Sequence, residues 1–582
     1  MKQSWIISLF VGAACLPPVK AGDWPQFRGP NNAGVSVETH LPSTWGAEKN
    51  IAWKIRLGGY GWSSPIVWGD KVFVTTAVSD KQQPPEEFVY PGTDDGKRSG
   101  GPAGGRTSAA ASPTLPLLTP AMVERLKLTD KQKEQVEQFK KEFTARQLNQ
   151  FTKASEVMQK AQNDKDPEAA STAGETFRQA FMAIVMMRND YLGKVRGQLD
   201  EGQKKILDQL RKEEAAASGG FPGMPPSPKP PDEVYRWEIY CLDAADGKVL
   251  WKQTAAQHKP TVPTQASNTY ASETPVTDGQ RVYAYFGMTG LYCYDFAGKL
   301  LWSKELGSYP MRMGWGTGSS PALDDERVFV QCDNEAKSFL AAFDKKTGKE
   351  LWRVSRDEKS TWGTPLLWRN KQRAELVTTG SKRVRSYDPA NGQLLWELGR
   401  IGAAIGGMST ASATSVADEE LLYASPGDEF GTAPLFAVRA GASGDLTLPR
   451  GATESAGVAW SRKRGGPAMA SPLLYGGYLY VVYQAGGFLN CYEAKSGKQV
   501  YRERLPGAQG FTSSPWAYDG KIFCLDQDGR TFVVQAGPEF KVLGKNDIGE
   551  MCWATPAAAN GSLFLRSRDH LYCIRKPKAK GD

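Results

Sequence analysis

The 582-residue sequence has few of the groups on which simple acid–base or metal chemistry depends. It contains three histidines, His40, His258 and His570. No two of them are close together in the sequence, and no CxxCH run occurs. A His-rich zinc site and c-type haem attachment are therefore excluded. There are eight cysteines and no Cys-Cys neighbours. Apart from the N-terminus, no stretch approaches the ~20 apolar residues that span a bilayer. Charge of one sign is also scarce: 72 basic against 63 acidic residues give +9, a mild excess for a long chain and a poor match to nucleic acid. At roughly 100–200 residues per domain, the length allows three or four domains, or one large architecture with an insertion.

The chain opens with Met1-Lys2-Gln3, the apolar run Trp5 to Leu16, and small residues at Val19-Lys20-Ala21 before Gly22. This is the pattern of a secretory signal over residues 1–21. The expected mature protein is periplasmic or secreted, without a transmembrane span. Gly12-Ala13-Ala14-Cys15 offers a weaker alternative, lipid anchoring at Cys15, because such sites usually have Leu where Gly12 stands. Cys241, Cys293, Cys491 and Cys573 recur at one place in a repeat. They are expected as small buried side chains in four different blades, with no disulfide framework.

That repeat organises most of the chain. Its first element is a small-residue or Ser/Thr-Pro start followed by apolar alternation: Ser64-Pro65, Thr274-Pro275, Ser320-Pro321, Thr364-Pro365, Ser471-Pro472, Ser514-Pro515 and Thr555-Pro556. Ala413-Thr414-Ser415 fills the remaining gap as a degenerate copy. From residue 275 to 556 the starts are 46, 44, 50, 57, 43 and 41 residues apart, the length of a four-stranded propeller blade. The second element is an Asp turn, a Gly and a Trp, as in Asp243 to Trp251, echoed at Asp295 to Trp302, Asp344 to Trp352, Asp388 to Trp396 and Glu493 to Tyr501. Asp can bond its own backbone in the turn, Gly supplies positive φ, and the indole packs between blades. The last unit lacks a Trp strand, whereas Ile51-Ala52-Trp53-Lys54-Ile55 is a Trp strand without a unit. The expected fold is an all-β, eight-bladed β-propeller closed by this N-terminal strand.

The turn and Trp resemble the tryptophan-docking repeat of pyrroloquinoline-quinone (PQQ) type propellers. Trp24 to Pro30 and Asn268 to Pro275 resemble the exported, planctomycete-type branch of that family. The resemblance covers nearly everything except the leader and an insertion. It implies the propeller fold and leaves function open, because quinoprotein alcohol dehydrogenases and the BamB-type scaffold lipoprotein of outer-membrane protein assembly share it.

The insertion interrupts blade 1. Residues 22–78 form the N-terminal segment, the closing strand and the start of blade 1, and residues 234–577 complete the ring. Between them, residues 79–233 have Pro/Gly/Ser-rich flanks around a helical pattern within about 120–217. Val136, Phe139, Phe143, Phe151, Ala154 and Met158 recur at helical spacing, as do Phe177, Phe181, Ile184, Tyr191 and Val195. An inserted α-helical hairpin is expected. Thr129 with Gln132, and Asp200 with Gln203, read as capping boxes. The paired pattern also resembles the LTxxQ motif of Spy-like periplasmic proteins, and supplies no catalytic group.

The insertion occupies a second-to-third turn, so it should leave the ring on the face where the innermost strands start. Aromatics crowd those starts. Trp62, Tyr270, Glu273, Arg312, Trp315, Trp362, Phe511 and Trp553 are the candidate ligand-site residues at this channel mouth, with Asn268 and Asp428-Glu429 as further polar candidates. A quinoprotein needs cations for the quinone carboxylates, oxygen ligands for Ca²⁺ and a carboxylate base. The family's catalytic members also carry a disulfide between adjacent Cys, absent here. No metal site is expected. The expected function is a non-catalytic binding or scaffold protein without a cofactor. Its partner would be a protein or envelope component, met by a propeller face and by the helical insertion as lid or docking arm. The alternative is a PQQ- and Ca²⁺-dependent alcohol or sugar dehydrogenase.

Overall fold

The computed structural model describes residues 22–86, 117–118, 120–163, 183, 186–217, 229–399, 412–425, 433–483 and 486–577. Eight sheets form the blades, each built on four antiparallel strands ordered from the channel outward. Blade 1 comprises Ile66–Trp68, Lys71–Val78, Tyr235–Asp243 and Val249–His258. Its second and third strands are buried along most of their length because neighbouring blades cover both faces, whereas the outer strand alternates towards solvent. Blade 8 takes Ile51–Arg56 as its outer strand, in register from Trp53 opposite Cys573 to Arg56 opposite His570. Closure by the N-terminal strand leaves no open edge to the array. Lys54 reinforces it with an ion pair to Glu550 at 2.9 Å.

The Trp motif fastens five of the blades to the next. Trp53 donates its indole N–H to the Ala244 carbonyl at 3.1 Å, Trp251 to Phe296 at 2.9 Å, Trp302 to Lys345 at 3.2 Å, Trp352 to Pro389 at 3.0 Å and Trp460 to Ala494 at 2.9 Å. Each acceptor lies in the following blade's Asp turn. The turn glycine then has two reasons to be Gly. At Gly497 φ is +68°, and a Cβ there would sit 2.6 Å from the Trp460 ring. The recurring cysteines follow from the same packing. Cys241, Cys293 and Cys573 stand directly opposite Trp251, Trp302 and Trp53 on the neighbouring strand, where a small side chain leaves room for the indole. All seven described cysteines are free thiols.

Two features were not anticipated. Blade 4 has a fifth strand, Gly444–Asp445, lying parallel to its outer strand. Blade 5 has no Asp-Gly turn to receive Trp396, which is fully buried and donates instead to Glu375 at 2.6 Å. The inserted module also has more elements than a hairpin: α1 (Pro120–Leu126), α2 (Asp130–Asn163), α3 (residues 186–197) and α4 (Glu201–Ala217). Val136, Phe143, Tyr191 and Val195 meet in their shared core with Leu199, Leu207 and Leu210. Phe177, Phe181 and Ile184 lie outside the described residues, as do residues 1–21 and Asp428-Glu429. Among the described residues, no helix is long and apolar enough to cross a membrane.

Candidate functional site

The inner-strand starts build the wall of a central cavity of about 280 Å³. Side chains of an extended chain alternate between two faces, and that parity sorts the wall residues. The Ser or Thr before each Pro faces the cavity: Ser64, Thr274, Ser320, Thr364, Ser471, Ser514 and Thr555, with Thr414 in the degenerate unit. The residue two positions earlier faces it as well, forming an outer tier of Trp62, Ser272, Gly318, Trp362, Ser412, Met469, Thr512 and Trp553. The residue in between, of which Ala554 alone also touches the cavity, turns into the blades. There it is small in seven units, and it is Glu273 in the eighth.

The inner tier is a hydroxyl collar. The Ser64 N–H donates to Thr274 Oγ1 at 2.9 Å, Thr274 to Ser320 at 2.9 Å, Ser320 to Thr364 at 3.2 Å, and Thr364 to Thr414 at 3.0 Å. Thr414 continues to Ser471, Ser471 to Ser514, and Ser514 to Thr555, each at 3.0 Å. Every bond runs in the same direction round the ring and links one blade to the next. The following proline holds the collar residue extended and has no N–H of its own to satisfy. Because these hydroxyls accept from the backbone, they retain a proton to donate.

Four predicted site residues line the cavity. Trp62 stacks on Trp553 at 5.5 Å and 23°, and Trp315 lies 5.7 Å from Trp362 at 39°. Trp62 donates its indole N–H to the Ser267 carbonyl at 2.9 Å and Trp362 to that of Gly316 at 2.7 Å, whereas the Trp553 N–H has no partner. Asn268 also lines the cavity, donating its amide to the Trp315 carbonyl at 2.7 Å.

The other four do not line it. Tyr270 is buried edge-on against Tyr235 and donates to the Val262 carbonyl. Phe511 sits three residues before Ser514, the inward parity, and is fully buried in the blade core. Arg312 begins a short 3-10 turn and pairs with Glu335 at 3.8 Å. Glu273 is 1% exposed, and burial pushes its carboxyl up to about 7. The Thr317 hydroxyl and the backbone amides of Glu273, Ser272 and Gly287 oppose that rise, but none reaches hydrogen-bond geometry to either carboxyl oxygen.

The sequence reading missed the collar, although the same residues had been used to count the repeat; their parity relative to Pro was the available signal. It also missed Phe27, which lines the cavity from the Trp24 to Pro30 segment. That segment crosses the far end of the channel, with Trp24 bridged to Val67, Pro25 accepting from Thr277, and buried Arg28 donating to the Pro472 carbonyl at 2.6 Å.

The insertion leaves the ring at the cavity mouth. Ile66 pairs with Phe73, so the second strand runs on past the start of the first and ends at Val78 on the mouth face. Ser79 bonds Glu233 at 2.7 Å, tying the two legs together. The Glu86 N–H donates to Ala266 at 3.0 Å, next to cavity-lining Gln265 and Ser267.

In the helical module both capping boxes form: the Thr129 and Asp200 N–H groups donate to the Gln132 and Gln203 side chains, which accept at 2.9 and 3.1 Å. The two glutamines also bond each other, at 2.9 Å from Gln132 to Gln203 and 3.2 Å in return. Gln132 further donates to the Gln198 carbonyl and Gln203 to that of Leu126. The pattern thus cross-links two helix starts.

The LTXXQ motif family matches residues 119–211. The family described as outer membrane protein assembly factor BamB matches residues 236–444 and 449–537, just over half of the chain. Among curated proteins none matches the sequence. Solved structures similar to it include BamB from Moraxella catarrhalis, at 12% identity and a TM-score of 0.44, covering 59% of this chain and 89% of that one. Another is the quinohemoprotein alcohol dehydrogenase from Comamonas testosteroni, at 12% identity and a TM-score of 0.39, covering 60% and 75%. On the extent of the repeat match, the chain belongs to the PQQ-like propeller family described as outer membrane protein assembly factor BamB, with an LTXXQ-type module inserted in its first blade.

Proposed function

We propose that this chain is an exported, non-catalytic binding or scaffold protein. The channel mouth is its recognition site, and the helical module, rooted at that mouth, serves as a lid or docking arm for a protein or envelope partner. The observation that carries this reading is the chemistry of the cavity wall. Hydroxyls, amides, indoles and small side chains, with Phe27 and Met469, make up its described lining, and none of those residues is charged. A quinone bearing carboxylates calls for cations, and Ca²⁺ calls for several oxygen ligands including carboxylates. The described lining offers neither, and the Glu273 carboxyl is turned into the blade. The family description, an assembly factor, supports the same reading. The test is turnover. Full-length protein incubated with PQQ and Ca²⁺ should reduce no dye across a panel of alcohols and sugars, and saturable substrate-dependent reduction would overturn the proposal.

A further inference from the structure

We propose that the channel mouth binds a neutral saccharide. The inference rests on the binding reading above and names its ligand class. Three features of the wall converge on it. The first is two indole pairs, Trp62 with Trp553 at blades 8 and 1, and Trp315 with Trp362 at blades 3 and 4. The C–H bonds on the face of a sugar ring carry slight positive charge and meet the negative face of an indole. The pairs stand on one side of the mouth, while small or flexible side chains such as Ser412 and Met469 occupy the other, leaving room for a ring to lie against the indoles.

The second feature is the collar below them. Its hydroxyls are each more than nine-tenths buried, yet they line the cavity, and those that accept a backbone N–H keep their protons for a ligand. Sugar oxygens accept such bonds. Sugar hydroxyls in turn can donate to the collar oxygens and to Gln265.

The third is neutrality. An anionic ligand would find hydroxyl donors without a cation among the described lining residues; the nearby Arg28 lies outside that lining, with Nη2 donating to backbone carbonyls and Nε and Nη1 buried without a partner. The cavity's 280 Å³ lies just below the about 300–1,000 Å³ typical of small-molecule sites. It suits the end of a short saccharide chain rather than a protein segment with packed side chains.

The test is isothermal titration and tryptophan fluorescence of the full chain. The neutral probes are maltohexaose, cellohexaose, xylohexaose and chitohexaose, and the anionic ones are pentagalacturonate and inorganic phosphate. The expected result is saturable binding of at least one neutral probe, weakened about ten-fold or more in Trp315→Ala and Trp553→Ala with an unchanged melting curve. Trp315→Phe and Trp553→Phe carry the same comparison if the alanine variants fail to fold, with a smaller loss expected. The inference is overturned if no neutral probe binds at millimolar concentration, if the variants bind as tightly as the parent, or if an anionic probe is preferred. None of those outcomes touches the non-catalytic reading, which fails only on turnover with PQQ and Ca²⁺.

Discussion

Glu273 shows how one residue breaks the rule of its neighbours. At the position between the two cavity-facing tiers, every other unit has Ser, Ala or Gly, because the side chain must fit inside a blade. A carboxyl there is desolvated, so its proton is held up to about 7. The folded state therefore binds more protons than the unfolded one between the ordinary carboxylate value and about 7, and stability must fall as pH rises through that window. The penalty is of the order of 3 kcal/mol at neutral pH, an upper bound for a group that relaxation or water can reach. Glu273→Gln should remove it. Thermal melts of the variant should match the parent near pH 4.5 and exceed it by several degrees above pH 7. A parallel pH profile for both proteins would contradict the assignment. In the sequence this residue stood out as a candidate ligand group because it lies beside a predicted mouth. Proximity was the wrong criterion: alternation along the strand start places Trp62, Trp362 and Trp553 at the cavity and Glu273 and Phe511 inside the blades. Trp315 falls outside that count and reaches the cavity from a turn.

At the scale of elements, two short motifs do more than their local pattern suggested. The Ser/Thr before Pro was legible as the start of each inner strand. Its role as a link in an inter-blade collar was not, because the bond partner lies 41 to 57 residues away in the next blade, or 210 away for Ser64 across the insertion. Thr414, in the unit without Pro, keeps its place in that chain of bonds. Thr414→Val should leave the Thr364 N–H unpaired and cost about 1–3 kcal/mol in chemical denaturation, while Thr414→Ser should cost little. Equal losses would remove the collar's energetic role. The glutamines of the helical module make the same point. As capping-box residues alone, Gln132 and Gln203 would be interchangeable with Glu, which would also suit the positive helix start. As a mutual amide pair they are not, since a carboxylate cannot donate to the Gln198 carbonyl or to its partner glutamine. Gln132→Glu should therefore destabilise the module by about 1–2 kcal/mol. Hydrogen exchange of the first-turn amides of α2 and α4 in the full chain should rise. Slower exchange would show that capping alone governs the motif.

For the whole molecule, spacing and composition carried the fold far. The count of starts, the Trp strand lacking a unit at one end and the unit lacking a Trp strand at the other required a closed eight-bladed ring, and the register of Trp53 with Cys573 is that closure. The parallel strand added to blade 4 and the reorientation of Trp396 were hidden, because both depend on the irregular stretch of blade 5 meeting its neighbour. Of the candidate site, the aromatic half was legible and the hydroxyl half was not. Aromatics stand out against a strand pattern, whereas Ser and Thr before Pro look like ordinary turn chemistry. The described lining of the assembled mouth is uncharged and lies at the root of the inserted helical module; on the proposed reading it recognises a ligand and holds no charged redox cofactor. Equilibrium titration of the full chain with PQQ in the presence of Ca²⁺, followed by quinone absorbance, tests that claim most directly. The account predicts no saturable binding at micromolar quinone, and stoichiometric, Ca²⁺-dependent uptake would contradict it.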